Sequence, residues 1–224
     1  MPTLDRHGDV YVLDLGDTEN RLHPDMLTAL NKLLDDIETE VRTAPRPAAL
    51  VTTATGRHYS LGIDLDWLAG HPQERLAYAI SVHDLFARML TLPMVTVAAM
   101  PGHVFAGGAM LSLTHDLRVM RADRGYWCLP EADIHLPFTP GMSALIQARL
   151  TPQTAHEAMV TARRYGGLEA AELHIIDHAV PAGDVLPTAI QLAASLAGKA
   201  GPALGTIKTR LYPDVLRALS SPRI

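Results

Sequence analysis

The chain has 224 residues, of which 48% are hydrophobic, and a formal net charge of −5 at pH 7. It is long enough to bury one large core, and an acidic chain without a basic, aromatic-rich stripe argues against a nucleic-acid-binding protein. No run of about 18 apolar residues is present, so we expect no membrane span. The single cysteine, Cys128, excludes an internal disulfide and fits a reducing compartment, from which we expect a cytoplasmic protein.

The first part of the chain alternates predicted strands and helices. Residues 10–15, VYVLDL, predict a strand, and residues 23–41 predict an amphipathic helix. The apolar run 48–53 predicts a second strand, which is followed by the glycine-containing loop 55–65. Residues 73–92 predict a long helix that ends before a proline. Such alternation is typical of a parallel sheet.

A second strand-loop-helix junction follows at residues 95–108. Residues 95–100 form a continuously apolar run that predicts a strand buried on both faces, and Gly107 and Gly108 precede a helix-favouring segment. The first N–H groups of a helix have no partner within that helix, and glycine lets another molecule approach them closely. This junction therefore predicts a site for partial negative charge, although a Gly-Gly pair can also serve only tight packing.

The earlier loop at residues 55–65 has the same character as this junction. If its strand lies parallel to the strand at 95–100, both loops lie at the same edge of the sheet, which is where open α/β sheets bind ligands. Two backbone N–H donors can then converge on one atom, as in an oxyanion hole.

The remaining chain is predicted to be mostly helical. Short strands are expected at 118–122 and 126–129, and a brief one at 176–180. Helices are predicted at 141–150, 151–162, 168–175, 185–200 and 201–219, the last broken near Pro213.

Glu131 is the candidate acid or base. It follows Pro130 and has apolar neighbours, which disfavour a charged carboxylate and raise its pKa: Leu129, Ala132, Ile134 and Leu136. Such a group can both remove and return a proton. The alternative role for Glu131 is that of a surface carboxylate or a helix-capping anion. We expect Asp64 to cap a helix, and we expect Asp116 to cap or anchor the strand after it.

The histidines do not predict a metal site. His174 and His178 are four residues apart, but no third ligand has suitable spacing. We therefore expect neither a metal nor a cofactor.

Four motifs, in order, resemble the enoyl-CoA hydratase/isomerase, or crotonase, superfamily: ENRLHPDML, GRHYSLGIDL, PGHVFAGGAMLSLTHDLRV and LPEADIHLPFTPG. Within it, the chain is most similar to the plant-type monofunctional 3,2-enoyl-CoA isomerases. The resemblance implies an α/β fold of the crotonase type, a spiral of β-β-α units. It implies a core at residues 1–138 that contains the CoA-thioester site, and a helical region at 139–224 for CoA contacts and assembly into a homotrimer or a dimer of trimers.

The resemblance also implies roles for individual residues. The N–H groups of Ile63 and Gly107 would hold the thioester oxygen, and Glu131 would be the catalytic glutamate. Three residues would contact CoA, and three would line the acyl pocket: Arg21, Leu22 and Lys208 for CoA; Met110, His135 and Phe138 for the acyl chain.

Met110 stands where a typical hydratase of the superfamily has a second glutamate, and a thioether cannot transfer a proton. A single carboxylate suffices to move a double bond, so the sequence predicts isomerisation of 3-enoyl-CoA to trans-2-enoyl-CoA in fatty acid oxidation. The alternatives are hydration or another reaction of CoA thioesters, or a non-catalytic CoA-binding protein.

Overall fold

A six-stranded sheet lies at the centre of the computed structural model, which describes residues 1–43 and 46–221. All neighbouring strands are parallel except the first pair, an antiparallel hairpin. In spatial order the strands are β1 (Thr3–His7), β2 (Val10–Asp14), β3 (Ala49–Thr53), β5 (Val95–Met100), β7 (Leu117–Arg121) and β9 (His178–Val180).

The central strands are buried because both faces of the sheet are covered. Every residue of β3 and β5 is buried, as expected for parallel strands between helical layers. Helix α8 (Val185–Leu196) packs small side chains on one face of the sheet. The other face lies against the larger core, which includes residues of α1 (Pro24–Thr43).

A three-stranded parallel sheet lies beside the large one. It contains β4 (His58–Ser60), β6 (His103–Phe105) and β8 (Trp127–Cys128), which follow β3, β5 and β7 respectively along the chain. The turns between the sheets are tight: a Cβ on Gly102 would lie 2.0 Å from the Arg57 carbonyl oxygen. Strand pairs followed by helices are therefore repeated along the chain, as the predicted spiral of β-β-α units requires.

The helix boundaries follow local sequence signals. Asp64 caps α2 (Leu65–Gly70) by accepting a hydrogen bond from the Trp67 N–H at 3.1 Å, as predicted. The predicted break near Pro213 separates the last two helices. The other helices are α3 (Arg75–Thr91), α4 (Gly107–Leu113), α5 (Pro140–Arg149), α6 (Pro152–Thr161), α7 (Gly167–Glu172), α9 (Pro202–Leu211) and α10 (Pro213–Leu219).

Three strands differ from the sequence prediction. Strand β1 was not predicted. Strands β4 and β6 lie in segments that were interpreted as loops, because a strand of three residues is too short to show a period. Strand β9 and helix α8 lie within the predicted strand 176–180 and the predicted helix 185–200, and they complete and cover the large sheet. The boundary after residue 138 stays a prediction. In the part of the chain that the structure describes, no helix is long and apolar enough to cross a membrane.

Candidate active site

The backbones of Gly62 and Gly107 touch where the loop after β4 meets the start of α4. A Cβ on Gly62 would lie 2.3 Å from the Gly107 nitrogen, and a Cβ on Gly107 would lie 3.3 Å from the Ile63 nitrogen. Gly62 also has a φ of 81°, which favours glycine. The contact brings the Ile63 and Gly107 amides side by side. Among the described residues, neither amide N–H donates a hydrogen bond.

A cavity of about 180 Å³ lies beside these amides. It brings together five of the predicted site residues, and most of its other lining is apolar. The five are Arg21, Ile63, Gly107, Met110 and Glu131; the others are Leu61, Leu65, Phe105, Ala106, Pro130, Ile134, Leu136, Pro137 and Met142.

Glu131 lies in a short 3₁₀ turn, Pro130–Ala132, directly after β8. Only 5% of the residue is exposed, and its Oε2 is buried without a hydrogen-bond partner among the described residues. Burial raises the pKa of Glu131 to about 7, although a hydrogen bond to its own backbone opposes the rise. The apolar neighbours seen in the sequence therefore have the predicted effect. The carboxyl group can exist in both protonation states near neutral pH.

Met110 lies in the first turn of α4 and is fully buried. Its thioether faces a cavity in which Glu131 is the one carboxylate among the described lining residues. Proton transfer by a second carboxylate is therefore not built into this lining.

Arg21 lines the cavity and keeps part of its side chain in solvent. Its Nε lies 2.7 Å from the Glu19 carboxylate, and this hydrogen bond raises the pKa of the guanidinium. With 30% of the side chain exposed, Arg21 contacts both the cavity and solvent. Its contact with CoA stays a prediction.

Leu22 is not among the residues that line the cavity, and its contact with CoA stays a prediction. Its N–H donates to the Gly62 carbonyl oxygen at 2.7 Å, and its own carbonyl oxygen accepts a hydrogen bond from the Tyr78 hydroxyl at 2.7 Å. Both polar groups of the Leu22 backbone are thus used within the protein. They anchor the loop that carries Ile63.

Lys208 does not reach the cavity, and the expected contact with CoA phosphates does not fit its position. Only 4% of the residue is exposed. Its ammonium group donates to the Met94 carbonyl oxygen at 2.7 Å and to the Asp116 carboxylate at 2.5 Å. Asp116 also accepts the Thr96 N–H at 2.8 Å, so its side chain anchors β5, the neighbour of the strand that the sequence predicted it to anchor. Lys208 therefore ties α9 to the large sheet.

His135 and Phe138 do not line the cavity either. His135 is exposed and has a φ of 56°, which turns the chain, and Phe138 packs against the main core. Ile134, Leu136 and Pro137 take their place. Ile134 and Leu136 were visible as apolar neighbours of Glu131. The sequence did not indicate that Phe105 and Met142 line the cavity. Phe105 lies on β6, which was interpreted as a loop, and Met142 lies on the separate helix α5.

Known proteins are similar to this chain in sequence and in structure. The sequence model of the enoyl-CoA hydratase/isomerase family matches residues 6–221. The chain is 36% identical to enoyl-CoA delta isomerase 3 of Arabidopsis thaliana, over 97% of this chain and 94% of the relative. It is 34% identical to the peroxisomal enoyl-CoA delta isomerase 2 of the same plant, over 96% and 93%. The solved structure of a probable enoyl-CoA hydratase, EchA3 of Mycobacterium tuberculosis, superimposes with a TM-score of 0.88 at 27% identity, over 97% and 91%.

The contact between Gly62 and Gly107 leads to a testable prediction. Gly62→Ala forces a Cβ against the Gly107 nitrogen and also requires an unfavourable φ, so it should lower the free energy of unfolding by about 3 kcal/mol or more. Gly8→Ala is the matched control, because Gly8 has a φ of 62° but no atom within 4 Å of its Cβ position. Urea denaturation compares the two variants. Equal losses of unfolding free energy in both variants would show that the backbones of Gly62 and Gly107 are not in close contact.

Proposed function

Because the chain belongs to the enoyl-CoA hydratase/isomerase family, we propose that it converts a 3-enoyl-CoA thioester to the trans-2-enoyl-CoA isomer, as a step of fatty acid oxidation. The observation that carries this proposal is that Glu131 is the one carboxylate among the described residues that line the cavity beside the Ile63 and Gly107 amides. The delta isomerase names of the Arabidopsis relatives support the same reaction.

The proposed reaction needs one group that moves a proton between two carbons. The Glu131 carboxylate removes a proton from C2 of the substrate, and the electrons of that C–H bond move towards the thioester oxygen to form a dienolate. The protonated Glu131 then returns its proton to C4, and the double bond lies between C2 and C3. No atom is gained or lost.

The amides of Ile63 and Gly107 stabilise the charge that develops on the thioester oxygen. Both N–H groups are held by backbone and lack partners among the described residues, so they need little reorganisation when the oxygen becomes negative. Losing one such donor typically costs about 3 to 4 kcal/mol in the transition state. The apolar lining strengthens this stabilisation, because it lowers the local dielectric constant.

Hydration makes different demands on the site. Water must be oriented at C3 while a proton is delivered to C2, and the typical hydratases of the superfamily divide these tasks between two carboxylates. Met110 occupies the position of the second carboxylate and can perform neither task.

Incubation with 3-hexenoyl-CoA should therefore raise the ultraviolet absorbance of the conjugated thioester. With 2-hexenoyl-CoA, loss of that absorbance would instead indicate a hydratase.

Glu131→Gln keeps the size and polarity of the side chain but cannot accept a proton. We expect turnover of 3-hexenoyl-CoA to fall by at least about 100-fold, with thioester affinity nearly unchanged. Asp133→Asn is the control, because Asp133 is an exposed carboxylate two residues away. Steady-state kinetics and equilibrium binding measure the two effects. Near-normal turnover in the glutamine variant would place the base elsewhere.

The raised pKa of Glu131 predicts two linked pH effects. The base must be ionised, so kcat/KM should rise as the pH increases through about 7 and then level off. Between the ordinary glutamate pKa of 4.5, which applies to the unfolded chain, and the folded value of about 7, the folded chain binds more protons than the unfolded chain. The stability contributed by this carboxyl group is thus lost as the pH rises through that window.

The glutamine variant isolates this stability effect. From pH 4 to pH 8, the free energy of unfolding of Glu131→Gln should rise by about 3 kcal/mol relative to that of the unmodified protein. Urea denaturation across this range is the measurement. A constant difference between the two proteins would show that Glu131 has an ordinary pKa.

We also propose that the C-terminal region mediates assembly into a homotrimer or a dimer of trimers. Large apolar side chains are more than half exposed on helices α6, α7 and α9: Val160, Leu168, Ile207 and Leu211. Such surface is commonly covered in oligomers. Analytical ultracentrifugation should show a trimer or a hexamer at micromolar concentration. A stable monomer would contradict this assignment.

A further inference from the structure

The peptide unit between Gly62 and Ile63 has one end inside the protein and the other at the cavity. Its carbonyl oxygen accepts the Leu22 N–H at 2.7 Å. A trans peptide is planar, and its C=O and N–H bonds point in opposite directions. The hydrogen bond from Leu22 to one end therefore sets the direction of the Ile63 N–H at the other end. The position of Leu22 decides where this donor points.

Tyr78 holds both segments that meet at this peptide unit. It lies on α3 and is 4% exposed. Its hydroxyl donates to the Leu22 carbonyl oxygen at 2.7 Å and accepts the Asp64 N–H at 2.8 Å. One oxygen thus links the residue that orients the peptide to the residue that follows Ile63. The Tyr78 ring also contacts the edge of Trp67 at a centroid distance of 5.0 Å, which limits its movement.

The phenol keeps its proton at every working pH. Burial raises the pKa of Tyr78 to about 12, although the hydrogen bond from the Asp64 backbone opposes the rise. The hydroxyl can therefore always donate to Leu22. A second hydroxyl supports the same loop, since the buried Ser60 Oγ accepts the Gly62 N–H at 3.1 Å and donates to the Asn20 carbonyl oxygen at 2.7 Å.

We propose that Tyr78 is a positioning residue that aims the Ile63 N–H at the thioester oxygen by tying Leu22 to Asp64 through its hydroxyl. The inference rests on the proposed function of the cavity. Tyr78 touches no reacting atom in this scheme. It fixes the direction of one of the two donors that stabilise the negative oxygen.

Tyr78→Phe removes the hydroxyl and keeps the ring. For 3-hexenoyl-CoA, kcat should fall on the order of tenfold while KM stays nearly constant, because a misdirected donor weakens transition-state stabilisation more than ground-state binding. Infrared spectra of bound hexanoyl-CoA labelled with ¹³C at the carbonyl report the donors directly. Hydrogen bonds from the site shift the carbonyl stretch to lower frequency in the unmodified protein. In Tyr78→Phe, the stretch should move back towards its value in water.

Tyr11→Phe is the matched control. Tyr11 is also a buried tyrosine. Its hydroxyl donates to Glu40 at 2.8 Å and so links β2 to α1, and neither residue lines the cavity. This variant should lose some stability in urea and leave both kcat and the carbonyl stretch unchanged. If kcat falls in both variants in proportion to lost stability, or if Tyr78→Phe keeps the carbonyl stretch of the unmodified protein, the positioning role is wrong.

The two readouts separate this inference from the proposed function. If the unmodified protein lowers the carbonyl frequency but isomerises no 3-enoyl-CoA, the proposed reaction fails, and the Tyr78 comparison still decides the positioning role. If the unmodified protein produces no shift, the donors do not contact the thioester oxygen. Both the proposed function and the role of Tyr78 would then be overturned.

Discussion

The backbone contact between Gly62 and Gly107 is the constraint on which the candidate site depends. It exists because β3 and β5 are parallel neighbours in the large sheet, and because β4 and β6, which follow them, are neighbours in the small sheet. The loops after β4 and β6 therefore meet at the same edge. Any side chain at Gly62 would push against the Gly107 nitrogen. This approach places two N–H groups, which have no hydrogen-bond partner in the described part of the chain, beside one cavity.

The second requirement is a carboxyl group with a raised pKa, and the fold meets it by burial alone. Glu131 is enclosed by an apolar cavity, and its Oε2 has no partner among the described residues. Such an arrangement costs stability whenever the carboxylate is charged. Elsewhere, by contrast, the buried Lys208 is paired with Asp116. Lys208 is thus stabilised as a charged group, whereas burial favours the neutral form of Glu131, as the proposed proton transfer requires.

The sequence predicted those parts of the fold and site that depend on neighbours along the chain. The long helices, the parallel strands β3 and β5, the Asp64 cap and the break at Pro213 all have local causes. The sequence did not predict the contacts of Lys208 and Phe138, since only tertiary packing brings Lys208 to Asp116 and Phe138 to the core. The role of Leu22 was hidden for the same reason, because its partners Gly62 and Tyr78 are distant in sequence.

In the proposed reaction, one sheltered carboxyl group carries the same hydrogen from C2 to C4. The most direct test uses 3-hexenoyl-CoA with two deuterium atoms at C2, converted in ordinary water and analysed by NMR and mass spectrometry. The proposed reaction yields trans-2-hexenoyl-CoA with one deuterium at C2 and a measurable fraction of the other at C4. A product with no deuterium at C4, or a 3-hydroxyacyl-CoA formed by addition of water, would contradict the proposed reaction.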